Sequence, residues 1–241
     1  MTGRKNWTRD ELSLALNLYC KLPFGKMHSR NPDIIAMANY IGRTPGAVAM
    51  KLVNFASLDP TLKQKGLASC SNLDREVWKD FFTDSSVVIR TEEISCSILP
   101  MEKDSAQSYF EEDFVASVKT RRMQSFFRRS VLANYGCKCC ITGISIPELL
   151  VASHIVPWKV DKNNRLNPHN GLCLNALHDK AFDRGFITIG EDMKIIISSF
   201  VPRKKVHSLL LDYEGCTILK PEKFCPIDDF LKYHREHIFK N

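Results

Sequence analysis

Apolar residues recur at helical spacing through the first part of the chain and divide it into three predicted helices. The first begins near Thr8, which has Glu11 three positions later, the spacing of a capping box. The other two begin at Asn31 and Thr44, each a capping residue followed by proline in the first turn. Gly42 ends the second helix shortly before the third begins. The pattern therefore predicts three helices with a tight turn between the last two.

The order of these helices, with a short turn before the third, is that of a helix-turn-helix. It resembles the three-helix Myb/SANT or homeodomain-like group in layout. The resemblance implies that helix 44–56 reads DNA. Lys51 and Asn54 are then expected to point outward, with Arg43 at the helix start. Because the helix has a single cation, a second interpretation stays open, that of a helical packing or dimerisation domain.

A fourth helix is predicted around Val77, where apolar residues again recur at helical spacing. Residues 84–110 lack that spacing and mix charged and turn residues with one short apolar run, 87–89. We therefore divide the chain into a helical, DNA-binding domain at 1–83, a linker at 84–110 and a second domain at 111–241. The run 87–89 is the candidate strand of the linker.

A basic helix is predicted at Lys119–Tyr135, near the start of the second domain. Its arginines have no acidic residue among them, and they are Arg121, Arg122, Arg128 and Arg129. On a helix they pair at two-turn spacing, on a side different from that of Phe127 and Val131. The planar fork of arginine suits phosphate. The helix is therefore expected to bind DNA phosphates, and a solvated charged face is the alternative.

Three polar residues follow in a segment whose pattern is strand, loop, strand and helix. An apolar run leads into His154, and a second one follows Asn170. His178 lies in the short predicted helix behind that second run. Such a unit can bring all three side chains to one point, although the first two are sixteen positions apart.

This order resembles the HNH, or ββα-metal, nuclease family, and its restriction-type branch in particular. The matching segments are CITG at 140–143, ASHI at 152–155 and NPHNGL at 167–172, followed by His178. The resemblance implies an α+β fold in which a ββα-metal nuclease domain follows the helical domain. It also implies that His154 is the general base, that Asn170 orients it and that His178 binds a divalent metal.

The residues suit that chemistry. A neutral imidazole can take a proton from water, and a cation beside the phosphate can offset developing charge. Many family members have Asp or His before the base, whereas this chain has Ser153, a poor ligand. Asp183 is the favoured second ligand, ahead of Asp179. A site with few protein ligands favours Mg²⁺, and an imidazole ligand also admits Mn²⁺, Ni²⁺ or Zn²⁺.

The cysteines offer an incomplete zinc site. Cys137 and Cys140 have the CxxC spacing of half such a site. Cys173 could contribute, but Ala176 stands where a second CxxC would need its other cysteine. We therefore interpret the cysteines as small buried apolar residues rather than as zinc ligands.

Composition restricts the remaining function classes. The net charge of +7 is compatible with a polyanionic partner. No apolar run approaches the length of a membrane span, and the N-terminus has no signal-peptide pattern. Nine cysteines, an odd number without framework spacing, favour a reducing, cytoplasmic location.

The leading hypothesis from these patterns is a divalent-metal-dependent DNA endonuclease of restriction or phage defence. A catalytically inactive DNA-binding regulator and a nuclease that acts on RNA are the alternatives. No membrane partner is expected, and a homodimer is left open.

Overall fold

The computed structural model describes residues 6–62, 70–99 and 114–241, with side chains from residue 120 onward in the last range. The chain divides into two units, Met1–Phe126 and Phe127–Asn241. Helices dominate the described residues, and two small antiparallel sheets complete a mixed architecture of the predicted α+β class. Across these ranges, no helix is long and apolar enough to cross a membrane.

The first unit is built around its first helix. Its helices are α1 (Arg9–Lys21), α2 (Pro32–Ile41), α3 (Pro45–Phe55), α4 (Asn72–Thr83) and α5 (Ser85–Ile98). The Thr8 hydroxyl accepts a hydrogen bond from the Glu11 N–H, and the Glu11 carboxylate accepts one from the Thr8 N–H, which confirms the predicted capping box. Every residue of α1 from Glu11 to Lys21 is buried, and α1 contacts the other four helices.

Helices α2 and α3 begin where their caps predict. The Asn31 side chain accepts hydrogen bonds from two backbone N–H groups of the first turn, and Thr44 accepts one from Ala47. Gly42 has φ 66°, the left-handed conformation in which helices commonly end. The two helices are therefore joined by the short turn that the sequence predicts.

The segment predicted as a linker contains α5, so the candidate strand at 87–89 was a wrong prediction. The buried face of α5 is polar, because Glu92 accepts hydrogen bonds from Lys21 at 2.7 Å and from Asn17 at 3.0 Å. A helix that buries polar groups lacks the apolar period by which helices are recognised. Residues 100–110 of the predicted linker lie outside the described part of the chain.

The second unit carries the predicted ββα arrangement. Its elements are β1 (Leu150–His154), β2 (Gly171–Asn175), α7 (Ala176–Asp183), β3 (Ile187–Ile189), β4 (Ile195–Ile197), α8 (Ser208–Leu211) and α9 (Asp228–His237), and α6 (Phe114–Asn134) leads into it. Strands β1 and β2 pair antiparallel, with Leu150 opposite Asn175 and His154 opposite Gly171. Helix α7 contacts both strands. The three elements therefore form one compact hairpin-and-helix unit.

Helix α6 approaches the hairpin closely at Gly171. A side chain at this position would collide with Val131 and press against Phe127. The glycine of the NPHNGL segment therefore lets α6 pack against β2, and the packing brings the Phe127 ring to the end of β1.

A buried histidine fastens α9 to this unit. His234 Nε2 donates to the Phe182 carbonyl at 3.1 Å, and its Nδ1 accepts from the Thr188 hydroxyl at 2.8 Å. The ring also stacks on Phe182 at 3.6 Å. Burial lowers the pKa of His234 to about 4, so the side chain is neutral at pH 7.

Candidate active site

His154 is held at the end of β1 by three neighbours. Its ring stacks on Phe127 with centroids 3.7 Å apart and an interplanar angle of 9°. Trp158 meets the ring edge-on at 5.5 Å, and Nε2 lies 3.0 Å from the backbone oxygen of Arg165. The imidazole therefore has a fixed plane and one nitrogen already engaged.

The same contacts determine which nitrogen of His154 carries the proton. A carbonyl oxygen can only accept, so Nε2 is protonated and Nδ1 keeps the lone pair. Burial lowers the pKa of His154; the hydrogen bond to the Arg165 carbonyl opposes that change, and the charge of Arg165 adds to it. The ring is thus neutral near pH 7 with a basic nitrogen available, the state that a general base requires.

Asn170 braces the loop that carries the Arg165 carbonyl. Its buried amide accepts from the Val156 N–H at 2.8 Å and donates to the carbonyls of Val156 at 3.1 Å and Asn164 at 3.3 Å. Asn164 directly precedes Arg165 in the chain. The structure therefore brings Asn170 and His154 together through the backbone of this loop.

Asp161 adds a second layer of bracing that sequence reasoning missed. Its carboxylate accepts from the N–H groups of Asn163 at 3.0 Å and Asn164 at 3.1 Å, and from the Asn164 side chain at 2.7 Å. Asn167 donates to the Asn164 side chain at 2.9 Å. The cluster of Asp and Asn in this loop is the signal that could have indicated local side-chain-to-backbone bonding.

His178 does not join His154, so the expectation that all three residues converge was wrong. Asn175, which caps α7, is paired with Leu150 at the opposite end of the hairpin from His154. Four strand steps separate the two ends, about 13 Å at the usual rise. The His178 ring stays at that far end, because Nδ1 lies 3.0 Å from the Asn175 side-chain oxygen and the ring meets Tyr213 edge-on at 5.3 Å.

The surroundings of His178 are mainly apolar. The ring lines a cavity of about 310 Å³ whose walls include Leu149, Leu177 and Leu209. Its Nε2 is buried and makes no hydrogen bond of standard geometry with a described residue. Burial lowers the pKa of His178, and the nearby Leu209 backbone partly opposes this change. His178 is therefore part of an apolar wall in this structure.

Asp179, which follows His178 on α7, points in a different direction from the His178 ring. One step along a helix turns the side chain by about 100°, and Asp179 lies close enough to Ser153 for that hydroxyl to influence its carboxyl group. Burial raises the pKa of Asp179, the Ser153 hydroxyl opposes the rise and the Asp183 charge adds to it. Burial also raises the pKa of Asp183. Asp179 thus lies beside Ser153, the neighbour of His154, and the exposed Asp183 is one turn further along the same face of α7.

The ββα unit has known relatives. Residues 139–190, which include β1, β2 and α7, match the family model described as HNH endonuclease. The ββα unit is therefore similar to an HNH endonuclease domain. A solved structure described as a modification dependent TagI restriction endonuclease is similar with a TM-score of 0.31 and 20% identity, over 46% of this chain and 37% of that chain. No match was found among curated proteins.

The four arginines of α6, the basic helix that leads into the ββα unit, differ in their contacts and in their exposure. Arg128 donates to two backbone carbonyls at the start of the hairpin, at 2.6 and 3.1 Å, and so ties α6 to β1. Arg129 is half-buried and makes no hydrogen bond or ion pair with the described residues. In the first unit, Arg121 is exposed and Arg122 is half-buried. Phosphate binding stays a prediction for these three, whereas Arg128 already has a structural contact.

The residues expected to read DNA from α3 are engaged inside the first unit. Lys51 Nζ lies 3.0 Å from both carboxylate oxygens of Asp74, and Asn54 is only 6% exposed. Arg43 forms an ion pair with Glu11 at 2.7 Å. The prediction that Lys51 and Asn54 point outward was wrong, because α4 supplies a buried carboxylate that the pattern of α3 does not reveal. The outward positions of α3 hold no cation.

Cys139, Cys140 and Cys173 lie near one another in the second unit. The Cys140 N–H donates to the Cys173 carbonyl at 2.7 Å, and burial, with nearby Cys139, raises the pKa of Cys173 to about 12. These three are buried, as interpreted, whereas Cys137 is exposed. Among the described residues, no three His, Cys, Asp or Glu side chains are placed to hold a metal ion.

Proposed function

We propose that the protein is a divalent-metal-dependent endonuclease that hydrolyses phosphodiester bonds in DNA. The state of His154 carries the proposal. Its Nε2 proton is committed to the Arg165 carbonyl, so Nδ1 presents a lone pair on a ring that is neutral near pH 7. Within an HNH domain, such an imidazole is suited to accept a proton from water as the water attacks phosphorus.

Asn170 has a positioning role in this mechanism. Its amide pairs with both backbone groups of Val156 and with the Asn164 carbonyl, on either side of the loop that follows His154. Without those bonds the Arg165 carbonyl would no longer be held beside His154 Nε2, and the His154 ring could rotate. Asn170 therefore acts on the reaction through His154 rather than by contact with substrate.

HNH nucleases generally use a divalent metal, and the residues that fit it here are Asp179 and Asp183 rather than His178. Burial disfavours the charge on the Asp179 carboxyl, and a bound cation would relieve that cost. Asp183 is exposed, one turn further along the same face of α7. Carboxylates completed by water and phosphate oxygens suit Mg²⁺ or Mn²⁺. When bound, the cation would offset the negative charge that develops on the phosphate and the leaving oxygen.

DNA is the proposed substrate, and restriction or phage defence in the cytoplasm is the proposed role. The net charge of +7 and the resemblance of the CITG, ASHI and NPHNGL segments to the restriction-type branch support it. The order of α2 and α3 supports a DNA-holding role for the first unit. Because Lys51 and Asn54 are buried, that role would use other residues.

A cleavage assay tests the proposal directly. Full-length protein is incubated with supercoiled plasmid, modified phage DNA or RNA, in Mg²⁺, in Mn²⁺ or in EDTA. We expect DNA cleavage with metal and none with EDTA. His154→Ala should be inactive, and His237→Ala, which removes an exposed histidine of α9, should match the wild type.

Two outcomes would replace the proposal with an alternative. A wild-type protein that binds DNA but cuts no nucleic acid in either metal is an inactive DNA-binding regulator. A protein that cuts RNA and leaves every DNA intact is an RNA nuclease.

A further inference from the structure

Contacts among the described residues hold the guanidinium group of Arg165 in place through only one of its nitrogens. Its Nε donates to the Trp158 carbonyl at 2.7 Å, and the guanidinium carbon lies 5.1 Å from the centre of the Trp158 ring. No carboxylate among the described residues pairs with it, and neither terminal nitrogen has a hydrogen-bond partner there. Two N–H₂ groups are therefore presented by a side chain whose stem is already ordered.

The position of this cation is linked to the candidate base. The Arg165 carbonyl is the group that accepts the proton of His154 Nε2 at 3.0 Å. Trp158, on which the guanidinium rests, also meets the His154 ring edge-on at 5.5 Å. One residue thus orients the base through its backbone and presents a cation through its side chain, with one indole in contact with both.

We propose that the Arg165 guanidinium binds a phosphate of the nucleic acid beside the bond that is cleaved. The inference rests on the proposed function, and it adds a substrate-binding residue to the HNH site. A planar guanidinium with two adjacent N–H₂ groups matches two phosphate oxygens in a bidentate geometry. Because the same residue holds His154, a phosphate bound by Arg165 is placed in a fixed relation to the base.

Three cations of this unit that already have partners are less suited to that role. Arg128 is committed to two backbone carbonyls, and Arg203 is paired with Glu214 at 3.0 Å. Lys232 lies near Glu236 at 3.9 Å on α9. Arg165 differs from these three in having its stem ordered and its terminal nitrogens unpaired among the described residues.

Three variants of the full-length protein test the proposal. Arg165→Met keeps an apolar stem on Trp158 without the charge, and Arg165→Lys keeps the charge without the fork. Lys232→Gln removes an exposed cation elsewhere in the unit and serves as the control. Thermal unfolding of each variant checks that the fold is retained.

The first measurement is DNA binding in EDTA, which does not depend on cleavage. Affinity for a short fluorescent duplex is measured across a salt series. Arg165→Met should reduce the slope of log affinity against log salt by about one unit, as expected for the loss of one phosphate contact. Arg165→Lys and Lys232→Gln should keep the wild-type slope.

The second measurement is cleavage of a mapped site. Arg165→Met should lower kcat/KM by about 10- to 100-fold, the usual effect of losing a hydrogen bond to a charged group. A neutral methylphosphonate next to the cleaved bond should slow the wild type and should slow Arg165→Met no further. If Arg165 had only a structural role, the rate reductions caused by Arg165→Met and by the methylphosphonate would multiply.

The outcomes separate this inference from the proposed function. If Arg165→Met has the wild-type salt slope, or if the two rate reductions multiply, the phosphate contact is refuted even though the protein is a nuclease. If the slope falls by about one unit while no metal supports cleavage of DNA or RNA by the wild type, the contact stands and the nuclease proposal fails.

Discussion

The two ends of the β1–β2 hairpin hold histidines in different surroundings, with His154 partly buried and His178 buried. Burial lowers the pKa of both His154 and His178, and each has one ring nitrogen close to an oxygen acceptor. At the His154 end, the neighbours include the Arg165 guanidinium and the loop braced by Asn170. At the other end, the ring faces an apolar cavity and Tyr213. The polar groups around an imidazole, rather than its place in a motif, therefore make it a candidate base.

The largest effect is expected at the His154 end. His154→Ala removes the candidate base, so the single-turnover cleavage rate should fall by about 10²–10⁴-fold. DNA affinity in EDTA should stay at the wild-type value, because the ring contributes no charge near pH 7. A variant that cuts at the wild-type rate would contradict the role of His154.

His234 differs from His154 and His178 because both of its ring nitrogens are hydrogen-bonded. Its folded-state pKa of about 4 lies below 6.5, the ordinary pKa of a histidine side chain. Between these values the unfolded chain binds a proton that the folded chain does not, so stability falls as pH drops from 6.5 to 4. The shift corresponds to about 3 kcal/mol.

Urea unfolding at several pH values measures this loss. His234→Phe cannot titrate, so its free energy of unfolding should decrease less than that of the wild type over the same range. It will be less stable than the wild type at pH 7, because the Thr188 hydroxyl and the Phe182 carbonyl lose a partner. Equal losses in the two proteins would mean that His234 is not the group responsible.

The next effect concerns Asp179, whose carboxylate lies beside Ser153, the neighbour of His154. Asp179→Asn should raise the Mg²⁺ concentration needed for half-maximal cleavage by at least about 10-fold, a change of the size seen when metal-site groups are lost. Excess Mn²⁺ should partly restore the rate. Asp192→Asn, at an exposed turn, is the control, and an unchanged Mg²⁺ curve for Asp179→Asn would remove this residue from the metal site.

The smallest effect is expected at the far end of the hairpin. His178→Phe keeps an aromatic ring against Tyr213 and removes the buried Nε2 that lacks a standard hydrogen bond. Cleavage and the Mg²⁺ curve should both stay within a few-fold of the wild type. A loss like that of His154→Ala, in a variant that is still folded, would show that His178 belongs to the active site.

Signals confined to one turn of chain were enough to locate much of the fold. The capping bonds of Thr8 and Thr44 join groups three positions apart, so they form whenever the local segment is helical. The ββα order was also predictable, because apolar runs of strand length flank His154 and Asn170. These features depend on neighbours along the chain.

The direction in which polar residues face was not predictable in the same way. Lys51 is buried because Asp74, 23 positions later, meets its ammonium group. Glu92 is buried because Lys21, 71 positions earlier, meets its carboxylate. Neither α3 nor α5 contains a pattern that reveals its partner, so the outward direction expected for Lys51 and the strand expected at 87–89 were both wrong.

The amino-acid sequence specifies which chemical groups are available, namely imidazoles, an asparagine and carboxylates in the order typical of an HNH domain. Which of these groups meet depends on contacts between elements that are distant along the chain. Helix α7 is oriented by the burial of Phe182, which packs against His234 of α9. That orientation turns His178 into the apolar wall and brings Asp179 beside Ser153, because adjacent residues on a helix point about 100° apart.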